Sequence, residues 1–254
     1  TMSILRLLAG QEEGLTLTEI CEALSLPKSS AFDILQTLAH EGYLEISGRR
    51  TPAYHLGLEA FRIGSAYLNS VDLNSAAAPI LSSLCQEINE TVFMSVRSGA
   101  HDLVYVLKYL SQSELQTVST VGTVRGLLEV AMGKAILAAL PNAQALEAVT
   151  PDMYQSCSVA SIRDPASLID FLDEVRYVGY VVDGTSENSF PVRPVAAPIL
   201  DANNTVLGAA SVVSVSACNS DERLKELGGI IQRTSLQISQ RLGYLGDDLY
   251  AQAR

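Results

Sequence analysis

Two short stretches carry the side chains best suited to recognition chemistry. The first runs from Lys28 to Leu38. Its residues Ala31, Ile34, Leu35 and Leu38 recur at helical spacing and turn to one side. Ser29, Ser30, Phe32, Asp33, Gln36 and Thr37 are left on the other. Hydroxyls and an amide aligned on an exposed helix are donors and acceptors of the kind that read base edges in a major groove, and Lys28 suits a phosphate. Arg49 and Arg50 lie at the tip of an expected hairpin, where cations meet a groove edge or the backbone. Asp33 repels phosphate but can accept from a cytosine amino group. By residue type alone, the same set also describes a solvated helix and a charged turn. The second stretch is Gly122-Thr123-Val124-Arg125-Gly126, leading into a helix expected from about Leu128 to Leu140. A helix start offers free N–H groups and partial positive charge, which suit a carboxylate. Arg125 either pairs with an acid there or is a solvated loop cation.

The elements that must position the first stretch are readable locally. Ile4, Leu5, Leu7 and Leu8 form a helical stripe. Thr16 and Glu19 have capping-box spacing and open a second helix, broken at Ser25-Leu26-Pro27. Pro27 suits the first turn of the third helix, and Gly42 ends it. Residues 43–46 and 53–56 read as two strands around Ser47-Gly48-Arg49-Arg50. Three helices followed by a hairpin make a winged helix-turn-helix over residues 1–57. Helical patterns over 58–68 and 73–88 follow, the first assigned to a linker of 58–72 and the second to a domain of 73–254. Strands are expected at 91–97, 102–110, 115–120, 192–200 and 205–215, with helices at 165–177 and 220–242. Tight turns join neighbouring strands, so this second domain is α/β (α+β) around an antiparallel sheet flanked by helices.

Other chemistries find little support. Cys21, Cys85, Cys157 and Cys218 lack CxxC spacing, which argues against a zinc site or disulfide framework. His40, His55 and His101 form no HxH or HExxH pattern. No GxSxG, Walker or Rossmann spacing occurs, so neither an enzyme nor a bound cofactor or metal is expected. No charge-free apolar run of about 18 residues suggests a membrane span. The opening TMSILRLLAG reads as a helix entered abruptly, without a basic leader or cleavage signal. A cytoplasmic location is expected. The net charge of −11 resists non-specific nucleic-acid binding. Within residues 1–60 the basic side chains are Arg6, Lys28, Arg49 and Arg50, against the acidic Glu12, Glu13, Glu19, Glu22, Asp33, Glu41, Glu45 and Glu59. That balance leaves a protein partner for this domain as an alternative to DNA.

Several segments, in order and spacing, resemble the IclR family of bacterial transcriptional regulators. LSLPKSSAFDILQTLAHEGYLE resembles its recognition-helix segment, and AYHLGLEAFRIGSAYLNSVDLNSAAAPILSSL its second wing strand and linker helix. VAMGKAILAAL resembles its GKA helix; GYVVD, VRPVAAPILD and VLGAASVVSV resemble its ligand-domain strands. The resemblance covers nearly the whole chain. It implies a GAF-like effector domain, a homodimer or dimer of dimers, double-stranded operator DNA as partner, and control by a small organic molecule, often an acid.

It also implies residues. Ala131 and Met132 match backbone positions that contact ligand, Asp183 and Ser211 match polar pocket positions, Pro194 falls where cysteine is frequent, and Val213 where some members carry a second serine. Lys134 reads as an exposed or structural lysine. The departures point away from a small keto acid. Gly126-Leu127-Leu128 replaces Pro-Leu-His, Glu129 replaces a small residue, and Pro194 removes a thiol and a backbone donor. A larger, partly apolar effector is expected. An inward Glu129 would admit a neutral or cationic group; an outward one complements the helix dipole. Asp33 stands where arginine is common, so dimer avidity is expected to sustain DNA binding.

Overall fold

A computed structural model describes residues 2–9, 11, 13–48, 52–63, 72–112, 119–183, 192–215 and 220–253. The chain divides into two compact units, Thr1–Val71 and Asp72–Arg254.

In the first unit, α1 (Met2–Leu8), α2 (Leu17–Leu24) and α3 (Lys28–His40) precede the hairpin β2 (Leu44–Ser47) and β3 (Ala53–Leu56). The capping box forms as spaced: Glu19 N–H donates to Thr16 Oγ1 at 3.4 Å, and Thr16 N–H donates to Glu19 Oε2 at 2.7 Å. That donated bond holds the Glu19 carboxyl below the usual carboxylate range. Pro27 is the N-cap of α3, one position earlier than expected, and Ala31 N–H reaches its carbonyl at 3.0 Å. Gly42 takes φ +76°, and the chain turns back as Tyr43 N–H bonds Leu38 O at 2.8 Å. The two residues of β1 (Leu15–Thr16) add to the hairpin in the order β1-β3-β2. Ile4, Leu8, Ile20, Leu35, Leu38, Leu44 and Tyr54 form the core. A further helical stretch, α4, is described over 58–63. The wing tip with Arg49 and Arg50, and the rest of the expected linker helix up to residue 71, lie outside the described residues.

In the second unit, α5 (Asp72–Ile88) continues through Pro79 without ending. A six-stranded antiparallel sheet has the order β6-β5-β4-β9-β8-β7. Its strands are β4 (Thr91–Ser98), β5 (Asp102–Tyr109), β6 (Val124–Gly126), β7 (Val181–Val182), β8 (Val192–Leu200) and β9 (Val206–Val215). Of the strand expected at 115–120, residues 119–120 are not strand and the remainder lies outside the described residues. The helices are α6 (Ala131–Ala138), α7 (Asn142–Glu147), α8 (Pro165–Val178) and α9 (Asp221–Arg241). Both α6 and α9 pack on β8 and β9. β8 is buried along most of its length, in keeping with its nearly unbroken apolar run.

α6 starts at Ala131, three residues later than expected, and Glu129 belongs to the preceding turn rather than to the helix. The cause is close packing at Gly133. A Cβ there would stand 2.1 Å from Leu127 O, so residues 127–130 fold back against the first helical turn.

Candidate functional site

The first unit presents α3 as a polar surface on an apolar anchor. Ala31, Leu35 and Leu38 are buried, and Lys28, Ser29, Ser30, Asp33, Gln36 and Thr37 are all exposed. The structure therefore brings six of the expected DNA-facing residues onto one helix. Thr37 Oγ1 donates to Asp33 O at 2.8 Å, so its proton is used within the helix and its free capacity is that of an acceptor. Phe32, outside the expected set, is 47% exposed on the same helix.

In the second unit, strand register sorts the expected residues into two cross-strand rows. Asp183 N–H donates to Pro194 O at 2.9 Å, Pro194 pairs with Val213, and Val213 pairs with Thr91. One step along, Ala196 pairs with Ser211, Ser211 with Phe93, and Phe93 with Lys108. Alternation puts Val213 and Ser211 on one face of β9. Ser211 is buried, and among the described residues its hydroxyl has one long 3.5 Å contact, to Val212 O. Beside it the Phe93 and Tyr105 rings lie 5.4 Å apart, and Lys108 Nζ stands 5.5 Å over the Phe93 ring while donating to Ser119 O at 2.7 Å. Burial lowers the Lys108 amine from its ordinary value. None of these three carries a local signal; register with Ser211 marks Phe93 and Lys108, and the ring contact with Phe93 marks Tyr105.

The start of α6 is tied to this face by a buried ion pair. Lys134 Nζ stands 2.7 Å from Asp183 Oδ2, and both side chains are fully buried. Lys134 also donates to Leu128 O at 3.0 Å and to Ser158 Oγ. Ser158 Oγ donates to Asp183 Oδ2 at 2.7 Å. Of the readings left open for Lys134, exposed or structural, the structural one holds. Among the described residues, Asp183 Oδ1 is buried without a hydrogen-bond partner.

The two ends of α6 differ. At its C-terminus the buried Arg176 of α8 donates to Ala138 O and Leu140 O, each at 2.9 Å, and to Asn142 Oδ1 at 2.6 Å. At its N-terminus the cap is Val130, with no side-chain hydrogen bond, although Ala131 and Met132 are buried. Arg125 stays near this start but lies on the edge strand β6, opposite the β7 edge of the sheet. Its guanidinium is 4.0 Å from Glu129 Oε2, and both side chains are about one-third exposed. Arg125 thus has an acid from its own chain, and the outward reading of Glu129 becomes a partly exposed pairing. Among the described residues no group of three His, Cys, Asp or Glu side chains could hold a metal ion. Among them, too, no helix is long and apolar enough to cross a membrane.

Comparison with known proteins places these features in one family. Residues 1–47 match the IclR helix-turn-helix domain, and residues 65–240 match the bacterial transcriptional regulator IclR C-terminal domain. The chain is 31% identical over 242 residues to the HTH-type transcriptional regulator BhcR of Paracoccus denitrificans, covering 94% of this chain and 84% of that one. It is 30% identical over 246 residues to the glycerol operon regulatory protein of Streptomyces coelicolor, covering 95% and 94%. Among solved structures, a transcriptional regulator from Rhodococcus sp. RHA1 superposes with a TM-score of 0.78 at 25% identity, covering 95% of each chain. The helix-turn-helix unit and the sheet-based C-terminal unit are therefore the two halves of one known design, and the chain belongs to the IclR family of bacterial transcriptional regulators.

Proposed function

We propose that this regulator acts in the cytoplasm as a homodimer or dimer of dimers, grips operator DNA through α3 and the wing, and responds to a small organic effector held at the start of α6. The domain limits proposed are 1–57 for the winged helix-turn-helix, 58–72 for the linker helix and 73–254 for the effector domain. On the DNA side the contacts are Lys28, Ser29, Ser30, Asp33, Gln36 and Thr37 of α3, with Arg49 and Arg50 of the wing.

The observation that carries the effector site is the unequal finishing of α6. Arg176 satisfies the carbonyls at one end, while the buried other end has no side-chain cap. Orphan N–H groups and the positive end of the dipole there suit an effector carboxylate at Ala131 and Met132. The body of the effector lies against the Pro194, Val213 and Ser211 face, with Asp183 Oδ1 as an acceptor nearby. Arg125, already facing Glu129, takes part only by exchanging that partner. Two prolyl or valyl positions in place of polar ones favour a larger, partly apolar acid.

Thermal shift against a panel of organic acids tests this. A ligand at 100 times its Kd adds about 2.7 kcal/mol of stability. Stabilisation confined to two- and three-carbon keto acids would contradict the apolar pocket. Fluorescence polarisation of the chain with its own upstream duplex, against random duplex at low salt, tests the DNA reading; equal affinity for the two would overturn it.

A further inference from the structure

We propose that Phe32 is a base-reading residue of this protein, and that it recognises the 5-methyl group of a thymine in each operator half-site. The inference rests on the proposed DNA-binding role of α3.

Phe32 does no evident structural work. The core of the first unit is made by Ile4, Leu8, Ile20, Leu35, Leu38, Leu44 and Tyr54, and Phe32 is not part of it. The α3 residues that face that core are Ala31, Leu35 and Leu38. Phe32 lies on the flank of α3 beside that buried face and is 47% exposed. Helical spacing puts it one turn from Ser29 and one turn from Gln36, both exposed, and next to the exposed Asp33. A large apolar side chain at the border of a polar reading surface gains free energy when a partner covers it.

In the major groove the apolar feature on offer is the thymine methyl, and phenylalanine is among the side chains that contact it. The neighbours fit the same groove edge. Gln36 has the amide geometry to pair with adenine N6 and N7, and Asp33 accepts from cytosine N4. Phe32 and Gln36, four residues apart, can address one A·T pair from its two sides. This assignment also gives the acidic α3 a source of specificity that does not depend on phosphate attraction, which Asp33 weakens.

The test uses the full chain and a randomised 30-base-pair duplex library, from which the bound site is selected at low salt. Each thymine of the selected duplex is then replaced singly by uracil, which lacks only the methyl. One thymine per half-site should show a loss of roughly fourfold on this change, the scale of burying one such carbon. Phe32→Ala should bind the thymine and uracil duplexes equally, with an unchanged salt slope, and Phe32→Leu should keep part of the difference. Uracil tolerated at every thymine, or a uracil penalty that persists in Phe32→Ala, overturns the assignment while leaving DNA binding intact. Failure to enrich any sequence overturns the DNA-binding reading, and this inference with it. The thymine-to-uracil comparison on the unaltered chain does not depend on the folding of a variant, so uracil tolerated at every thymine overturns the assignment by itself.

Discussion

The two units handle polar groups in opposite ways. The described core of the first is built from aliphatic side chains and Tyr54, and its described ion pairs, His40–Glu41 and Arg62–Glu59, are at the surface. The second buries Lys134, Asp183 and Arg176 alongside Ser95, Ser211, Ser235 and Ser239. A surface reader keeps its hydrogen-bonding groups outside and needs only a rigid apolar support. A sensor must keep polar groups inside, and each of those must be held by a partner or left for a ligand. The contrast predicts that the two units fail by different chemistry.

Truncating Lys134 tests this most severely. Lys134→Ala leaves the Asp183 carboxylate buried and unpaired, and a loss of about 3–5 kcal/mol is expected in urea denaturation of the second unit. The double variant Lys134→Met/Asp183→Leu should recover most of it, because removing both charges costs far less than removing one. If the single and double variants are equally unstable, the pair does not organise this unit. In the first unit the comparable damage comes from an apolar truncation. Leu35→Ala should cost about 3 kcal/mol, read from the same denaturation curves, with no charge involved.

A smaller effect separates affinity from specificity. Asp33→Arg replaces a repelling group with a phosphate partner, so affinity for any duplex should rise, and the salt slope should steepen by roughly one. Polarisation titrations at several salt concentrations measure both. An unchanged slope would show that residue 33 does not approach phosphate.

The smallest effect concerns helix caps, where both units use the same device. Thr16→Ala should cost about 1 kcal/mol of the first unit's stability. Glu19 and Asp164 are both held below their ordinary values, 4.5 and 3.8, chiefly by the backbone N–H groups of Thr16 and Ser167. A depressed folded value means the contribution is complete above the ordinary value and is lost as pH falls through the folded one. Acid titration followed by circular dichroism should therefore show each cap weakening as pH falls below its ordinary value, 4.5 in the first unit and 3.8 in the second.

What could be read from the sequence follows the same division. α2, α3, the hairpin, α8, β8, β9 and α9 are legible within a few residues, because apolar period and boundary residues such as Thr16, Pro27 and Gly42 are local signals. Two-residue strands were not legible: β1 and β7 exist only through pairing with β3 and β8. The short α7 after Pro141 was too brief to show a period. The late start of α6 depends on Leu127 lying over Gly133, a contact across a turn. The exposed face of α3 could be listed from spacing alone. The Ser158–Asp183 bond spans 25 positions, and nothing around Ser158 marks it as a partner for Asp183 or Lys134.

The strand order has a consequence for how the chain is made. β9 lies between β4 and β8, yet it is the last strand to leave the ribosome. Until residues 206–215 emerge, β4–β5–β6 and β7–β8 are two separate ribbons with no shared hydrogen bonds. The first unit, whose last strand ends at Leu56, has every strand it needs far earlier. Synthesis at about 5–20 residues per second separates these events by roughly 8–30 seconds. During that interval the nascent second unit offers open strand edges, so its dependence on chaperones should be concentrated before β9 is inserted.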